Sequence, residues 1–527
     1  MKNIHGMLLV GCSALALAGC GPSDITGPGS GGNITINNPT PAPAPTPTPT
    51  GGALVTPAGG CPTIATDQGT ISGPTGTWRV CRLPNLITTS ITLPKVAGLL
   101  YEINGRVNVG CDGGFAAPTT GAPYTSTTAG CATPLTQDTG VTLTIAPGVI
   151  LFGSTGQSWI AVNRGNKISA VGNATTPIIF TSRDNVLGLN DDNSQGQWGG
   201  VVLLGRGVVT GPCATGSVGA ATCERDTEGS ADLARFGGAD NTYNAGRMSY
   251  IQIRYSGFVL GANKELQSLT LEGVGTGTVV DHFQSHNSSD DGTEIFGGAA
   301  NMKYYISAGA DDDSLDVDTG AQANVQYALL LQKPGKGDAL FEIDSNGDEG
   351  DLPRTKLAVA NFTALQPQTS PDNEGTGDLA ASLFRGNSDT TLINGIIATP
   401  NNECIRMNGS GTTPATLVAQ SVVLQCNSTK YLGSGSYNAT QVQTSFGSGA
   451  NNNNDAFTPT LTSLFINGTN ETGVSAADPK LTSTFFDTTT WIGAVRNSTD
   501  TWYSGWTCNA TFTFTTGGSA CTSLPTT

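Results

Sequence analysis

Between Asp281 and Asp351 carboxylates return at a near-constant interval. Asp290-Asp291-x-x-Glu294 is followed by Asp312-Asp313-x-x-Asp316 and then by Asp338-x-x-x-Glu342-x-Asp344. Glu294 to Asp316 is 22 residues and Asp316 to Glu342 is 26. Each group runs into an acid followed by a β-branched residue: Glu294-Ile295-Phe296, Asp316-Val317-Asp318 and Glu342-Ile343-Asp344. An acid that returns once per coil of a stacked fold forms a ladder of carboxylates on one outward face. Strands stack about 4.8 Å apart, and neighbouring charges at that distance repel by about 1 kcal/mol in water, more when partly desolvated. A bound cation relieves this, as does a proton. Donors that are all oxygen suit Ca2+, which takes six to eight of them. Asp290, Asp291, Glu294, Asp312, Asp313, Asp316, Asp318, Glu342 and Asp344 are therefore the expected ligand set.

Other chemistry fits less well. Glycoside hydrolysis needs two carboxylates at a set separation, and this stretch offers too many to single out a pair. His282 and His286 with Asp290 make a conceivable zinc set, without the usual ligand spacing. Asp344 to Asp351 lacks the terminal Glu of a helix–loop–helix calcium loop, although Asp348 or Asp351 could still add an oxygen. The plain structural alternative is a solvated column of turn acids bonding local backbone. Catalytic residues are not identified.

The elements that must position these acids are short apolar strands such as Val141–Ile145, Trp159–Val162, Pro177–Phe180 and Val201–Leu204, separated by Gly, Asn, Asp, Ser and Pro turns. No amphipathic helix of ten or more residues stands out. Val279, Met302 and Val325 align at intervals of 23, the same register aligns Phe283, Ile306 and Leu329, and Ile295, Val317 and Ile343 align further along. Stacks of like residues at one rung per 20–26 residues predict an all-β chain folded as a right-handed parallel β-helix. The expected helix covers 61–440, with an insertion near 205–247, and 441–527 form a C-terminal cap or extension. Trp491, Trp502 and Trp506 in that extension are expected to plug an open end rather than form a sugar platform.

Charged residues make up only 12% of the chain and the formal charge is −16. That argues against nucleic acid as a partner and suits cations, neutral or basic ligands, or solubility alone. Ten cysteines lie beyond Cys12 and Cys20, an even number that reads as disulfides in an exported chain. Sequence neighbours suggest Cys61–Cys81, Cys111–Cys131, Cys213–Cys223, Cys404–Cys426 and Cys508–Cys521, though other pairings remain open.

Residues 1–19 read as a signal peptide, and 20–60 as a Pro/Thr-rich tether. Leu17-Ala18-Gly19-Cys20 resembles a bacterial lipobox, with Cys20 as the lipidated residue. Gly21 after it implies, by resemblance to other lipoproteins, sorting to the outer membrane, facing the periplasm or the cell surface.

The coil pattern itself carries a resemblance. Val141–Ile150, Arg164–Gly172, Pro177–Ser182, Trp198–Gly205, Arg235–Gly238, Lys264–Gln267, His286–Gly292 and Gly309–Ser314 together look like a family of uncharacterised bacterial outer-membrane lipoproteins. The resemblance spans roughly 90–505 and implies a right-handed parallel β-helix, often in association with TonB-dependent receptors. The two Asp-Asp-x-x-acid groups also resemble the calcium-binding aspartates of some β-helix pectate lyases. A lyase of that kind needs a Lys or Arg base, for which Lys303, Lys333 and Lys336 are the nearby residues. The expected function is a cell-envelope lipoprotein that binds a glycan or another accessible ligand, accessory to a TonB-dependent transporter, with Ca2+ in the acidic ladder. The alternatives are a Ca2+-dependent polysaccharide lyase or glycoside hydrolase, and a structural surface protein or adhesin.

Overall fold

A computed structural model describes residues 53–527, apart from 132, 229–233, 262–263, 346, 348, 372–378, 515–517 and 527. The signal peptide, Cys20, the tether as far as residue 52, and Asp348 lie outside the described residues.

The strands gather into a sheet of 15 and a sheet of 11, and successive coils add one strand to each. In the coils that carry the acids, Val279–His286, Asn301–Ala308, Gln322–Leu331 and Thr355–Leu365 lie side by side and parallel in the long sheet. Thr293–Phe296, Asp316–Asp318 and Phe341–Ile343 do the same in the shorter one. The chain is thus an all-β parallel β-helix. Ile295, Val317 and Ile343 of these short strands face inward, where all three are completely buried in the main core.

Each long strand bends at a residue in the left-handed region. Tyr250, His282, Tyr304, Tyr327, Asn361, Asn394 and Ser421 have φ between 49° and 61°. Positive φ is costly for bulky side chains, yet the corner lets one strand serve two faces. Gly246–Arg254 pairs with Lys167–Val171 before the bend and with Ile178–Ser182 after it.

The expected stacks of Met302 on Val325, of Ile306 on Leu329 and of Ile295, Val317 and Ile343 are present. One expected rung is displaced. Met302 pairs with Val280, not Val279, and Phe283 pairs with Tyr305 rather than Ile306. That step is 22 residues rather than 23, and a one-residue slip turns every side chain to the opposite face. Val279 accordingly stands 40% exposed while Val280 is buried.

All five neighbouring cysteine pairs are disulfides. Cys404 and Cys426 join adjacent coils across a Cα–Cα distance of 5.5 Å. Helix Ala439–Phe446 closes the last coil by placing Val442 and Phe446 in the main core, which covers an otherwise open strand edge. The aromatic tail does not plug that end. It runs back along the outside of the long sheet, setting Ile492 on Ile396 and Val423, Phe486 on Ala358 and Ile393, and Trp506 on Ile306 and Leu329. Tail carbonyls even reach the early coils, where Asn185 Nδ2 donates to the Cys521 oxygen at 3.1 Å. A repeating sheet face that is apolar outside as well as inside has to be covered, and the tail covers it.

The displaced rung has a direct check. Val280→Ala is expected to cost about 2 kcal/mol and Val279→Ala less than about 0.5 kcal/mol in chemical denaturation; equal losses would restore the other register.

Candidate metal centre

The turn before each short strand carries the paired aspartates, and the strand itself carries the next acid. Parallel pairing then sets Glu294 opposite Asp316, and Asp316 opposite Glu342. The ladder read from the spacing is therefore real. Part of it has a local structural task. Asp291 Oδ1 accepts the backbone N–H of Asp313 at 2.9 Å, and Asp313 Oδ1 accepts that of Ala339 at 2.7 Å. Each aspartate so pins the turn of the next coil.

The remaining oxygens converge. One ligand oxygen each from Asp290, Asp291 and Asp312, and one each from Asp291, Glu294 and Asp316, lie within 4.8 Å of one another. Asp291 belongs to both triplets, so the five residues form one acidic box. Two oxygens sharing a Ca2+ at about 2.4 Å stand no more than about 4.8 Å apart. The other expected ligands fall outside the triplets. Asp313 serves the Ala339 amide, and Asp318 accepts the amide of Thr319. Glu342 and Asp344 are held by Arg385, through Nε at 2.9 Å and Nη1 at 3.3 Å.

The column is not the solvated one that turn acids alone would make. Asp290, Asp291, Glu294, Asp313, Asp318 and Glu342 are all buried. The insertion is the reason. Val209, Cys223, Ala234 and Phe236 pack on Val202, Leu204 and Phe296, the outward residues of the short sheet, with the Phe236 and Phe296 rings 6.0 Å apart. Buried Arg164 ties the insertion down, reaching Asp112 and Glu224 at 2.6 Å each.

Burial raises the carboxyls of Asp290, Asp291, Glu294, Asp313 and Asp316 well above the ordinary range, and neighbouring acids add to it. Asp312 acts on Asp290, Asp316 on Glu294, and Asp318 on Asp316. Glu228 and Glu265 contribute from the covering loops. Glu272, completely buried beside Thr227, is pushed up to about 8 by burial. Its Oε1, and Oδ1 of Asp316, are shielded from solvent without a hydrogen-bond partner among the described residues.

Neither histidine joins the acids. His282 Nδ1 meets Asp281 at 2.9 Å while its ring stacks between Tyr250 and Tyr304. His286 is completely buried, and burial holds it near 3, neutral. The cysteines beside it, Cys508 and Cys521, are bonded to each other. The three lysines near the acids in sequence also have other company. Lys303 meets Asp487 at 2.8 Å, Lys336 meets Asp311 at 2.6 Å, and Lys333 reaches Asn193 at 2.8 Å. Asp351 Oδ2 accepts the Gly211 amide at 2.8 Å, binding loop to insertion.

Arg385, Glu272, Glu228 and Glu265 are the residues that spacing alone did not single out. Glu272 was within reach, because it stands two positions beyond Thr270, the rung partner of Glu294.

The family model of the pectate-lyase-like β-helix domain matches residues 128–507. The chain belongs to that family, a match that takes in every coil of the acidic box. No curated protein matches the chain, and no solved structure does.

These carboxyls bind more protons folded than unfolded, so the stability they allow is greatest in acid. For Glu272 it is complete below its ordinary 4.5 and is lost as pH rises through about 8. Chelator-treated protein is expected to melt several degrees lower near pH 8 than near pH 5. Glu272→Gln, which keeps the acceptor for Thr227, should flatten that slope in thermal scans.

Proposed function

We propose that the protein is an extracytoplasmic β-helix that binds Ca2+ in the acidic box and presents its surface to a glycan. One observation carries the cation reading: two carboxylate triplets that share Asp291 lie beside a covering insertion, and one of them holds Asp316, whose Oδ1 has no hydrogen-bond partner among the described residues. At separations of 4–5 Å two ionised carboxylates repel by about 3–4 kcal/mol at an effective dielectric near 20. A divalent cation removes that repulsion and supplies the missing partners. Oxygen donors without thiolate or imidazole favour a hard cation over zinc. Five disulfides fit an oxidising compartment. The lipobox-like Leu17–Cys20 supports an outer-membrane lipid anchor, and the resemblance to envelope lipoproteins supports a TonB-dependent receptor as neighbour.

A second reading, a Ca2+-dependent polyuronate lyase, is favoured by the family match and by Arg385 standing at the end of the box on Glu342 and Asp344. It requires unsaturated product from polygalacturonate, detected by ultraviolet absorbance, and loss of that product in Arg385→Ala.

The cation reading is tested by melting the protein with EDTA and with added Ca2+. Ca2+ at 100 times its dissociation constant should add about 2.7 kcal/mol, a shift of a few degrees. Asp316→Asn removes one buried charge, so it should raise the melting temperature in EDTA while shrinking the Ca2+ shift. Identical melting of the parent protein under both conditions would sink the reading.

A further inference from the structure

The tail that covers the long sheet leaves a cavity of about 330 Å³ against the corner column. Tyr304, Tyr327, Trp491, Arg496, Asp500 and Trp502 line it. Its floor is set by the repeat. Corner residues Tyr250, His282, Tyr304 and Tyr327 occupy successive rungs, and their rings stack at 4.1, 4.3 and 4.8 Å. That is the spacing of the strands themselves, so an aromatic at each corner must form a continuous ring column. Trp502 leans on Tyr304 at 5.3 Å, its indole N–H anchored on the Ala494 carbonyl at 3.1 Å.

The rim is polar and accessible. Arg496 and Asn497 are exposed. The Arg496 guanidinium lies 5.4 Å from the Trp491 ring, and the Asp500 carboxylate is positioned by the Arg496 amide at 2.9 Å. Trp491 adds a feature that packing does not explain. Its indole N–H is shielded from solvent and has no acceptor among the described residues, a loss of about 1–3 kcal/mol for a buried donor. Protein interiors hold few voids larger than a water molecule, whereas small-molecule sites start near 300 Å³, with apolar walls and a few placed polar groups.

We propose that this cavity is a saccharide-binding site for a neutral glycan. A pyranose has an apolar C–H face suited to aromatic rings and hydroxyls that both donate and accept. Trp502 and the tyrosines supply the ring surface. Asp500 accepts hydroxyl protons, while Arg496 and the free Trp491 N–H donate. A formal charge of −16 disfavours acidic polymers over neutral ones. The proposal gives the glycan half of the function above a place, and it does not depend on Ca2+.

The test is native electrophoresis of the full chain in gels containing glucans, galactomannan or polygalacturonate, each with EDTA or Ca2+. At least one neutral polymer should retard the protein equally under both conditions. Trp491→Phe keeps the ring and deletes the donor, and should weaken retardation about fivefold. The surface double variant Arg496→Ala with Asn497→Ala should weaken it about tenfold at an unchanged melting temperature. Failure of every neutral polymer, or equal retardation of the double variant, would overturn the site. Retardation by polygalacturonate alone, abolished by EDTA, would also overturn it while leaving the Ca2+ reading intact.

Discussion

Parallel hydrogen bonding between coils stacks like on like, and the rest of this molecule depends on it. Each rung places its side chains about 4.8 Å above the equivalent ones of the rung before. Where the repeated residue is apolar, as at Ile295, Val317 and Ile343, the stack becomes core. Where it is aromatic, as at Tyr304 and Tyr327, the stack becomes a ring column. Where it is acidic, as at Glu294, Asp316 and Glu342, the same bonds force charges together that would otherwise separate. The backbone allows no lateral escape, so relief has to come from protons or cations.

Two irregular pieces of chain convert these columns into candidate sites. The insertion covers the outward face of the short sheet through Phe236 on Phe296, and so takes the acids out of water. The tail covers the long sheet through Ile492, Phe486 and Trp506, and leaves a gap beside the tyrosines. In both cases the solenoid supplies a regular column, and a non-repeating segment fixes its environment. Loops with this role are where solenoid function is usually found.

What repeats was legible in the sequence, and what does not repeat was not. The acids and the β-branched residues after them share one period, so their register could be read before any coordinates. Val279 shows the limit, because an uneven coil length shifted that rung by one and exposed the residue expected to be buried. The tail carries no period, and its aromatics therefore read as an end plug although Ala439–Phe446 performs that task. Arg385 was hidden for another reason. It follows the short strand Ser382–Phe384, where the rung partner of Glu342 is Leu383 and the acidic pattern has stopped. The cation that bounds the box thus lies one coil beyond the signal.

The choice between protons and a cation in the box turns on what each would accomplish. A column that served stability alone could be apolar, since replacing buried charges by well-packed hydrophobic residues is often neutral or favourable. The inner side of the same strands takes that solution. Arg385 pairs with Glu342 and Asp344, and its charge also reaches Asp316. Protonation would quiet the rest, and the raised carboxyls of Asp290, Asp291, Glu294 and Asp316 describe that state. A proton, however, satisfies one oxygen at a time, whereas Asp316 Oδ1 has no hydrogen-bond partner among the described residues. Under the cation reading proposed above, a divalent cation would draw on both triplets, which share Asp291. It would displace protons as it binds, so its affinity should fall in acid. On that reading the repulsion between the stacked acids would drive capture, and the rigid spacing of the rungs would set which ions fit.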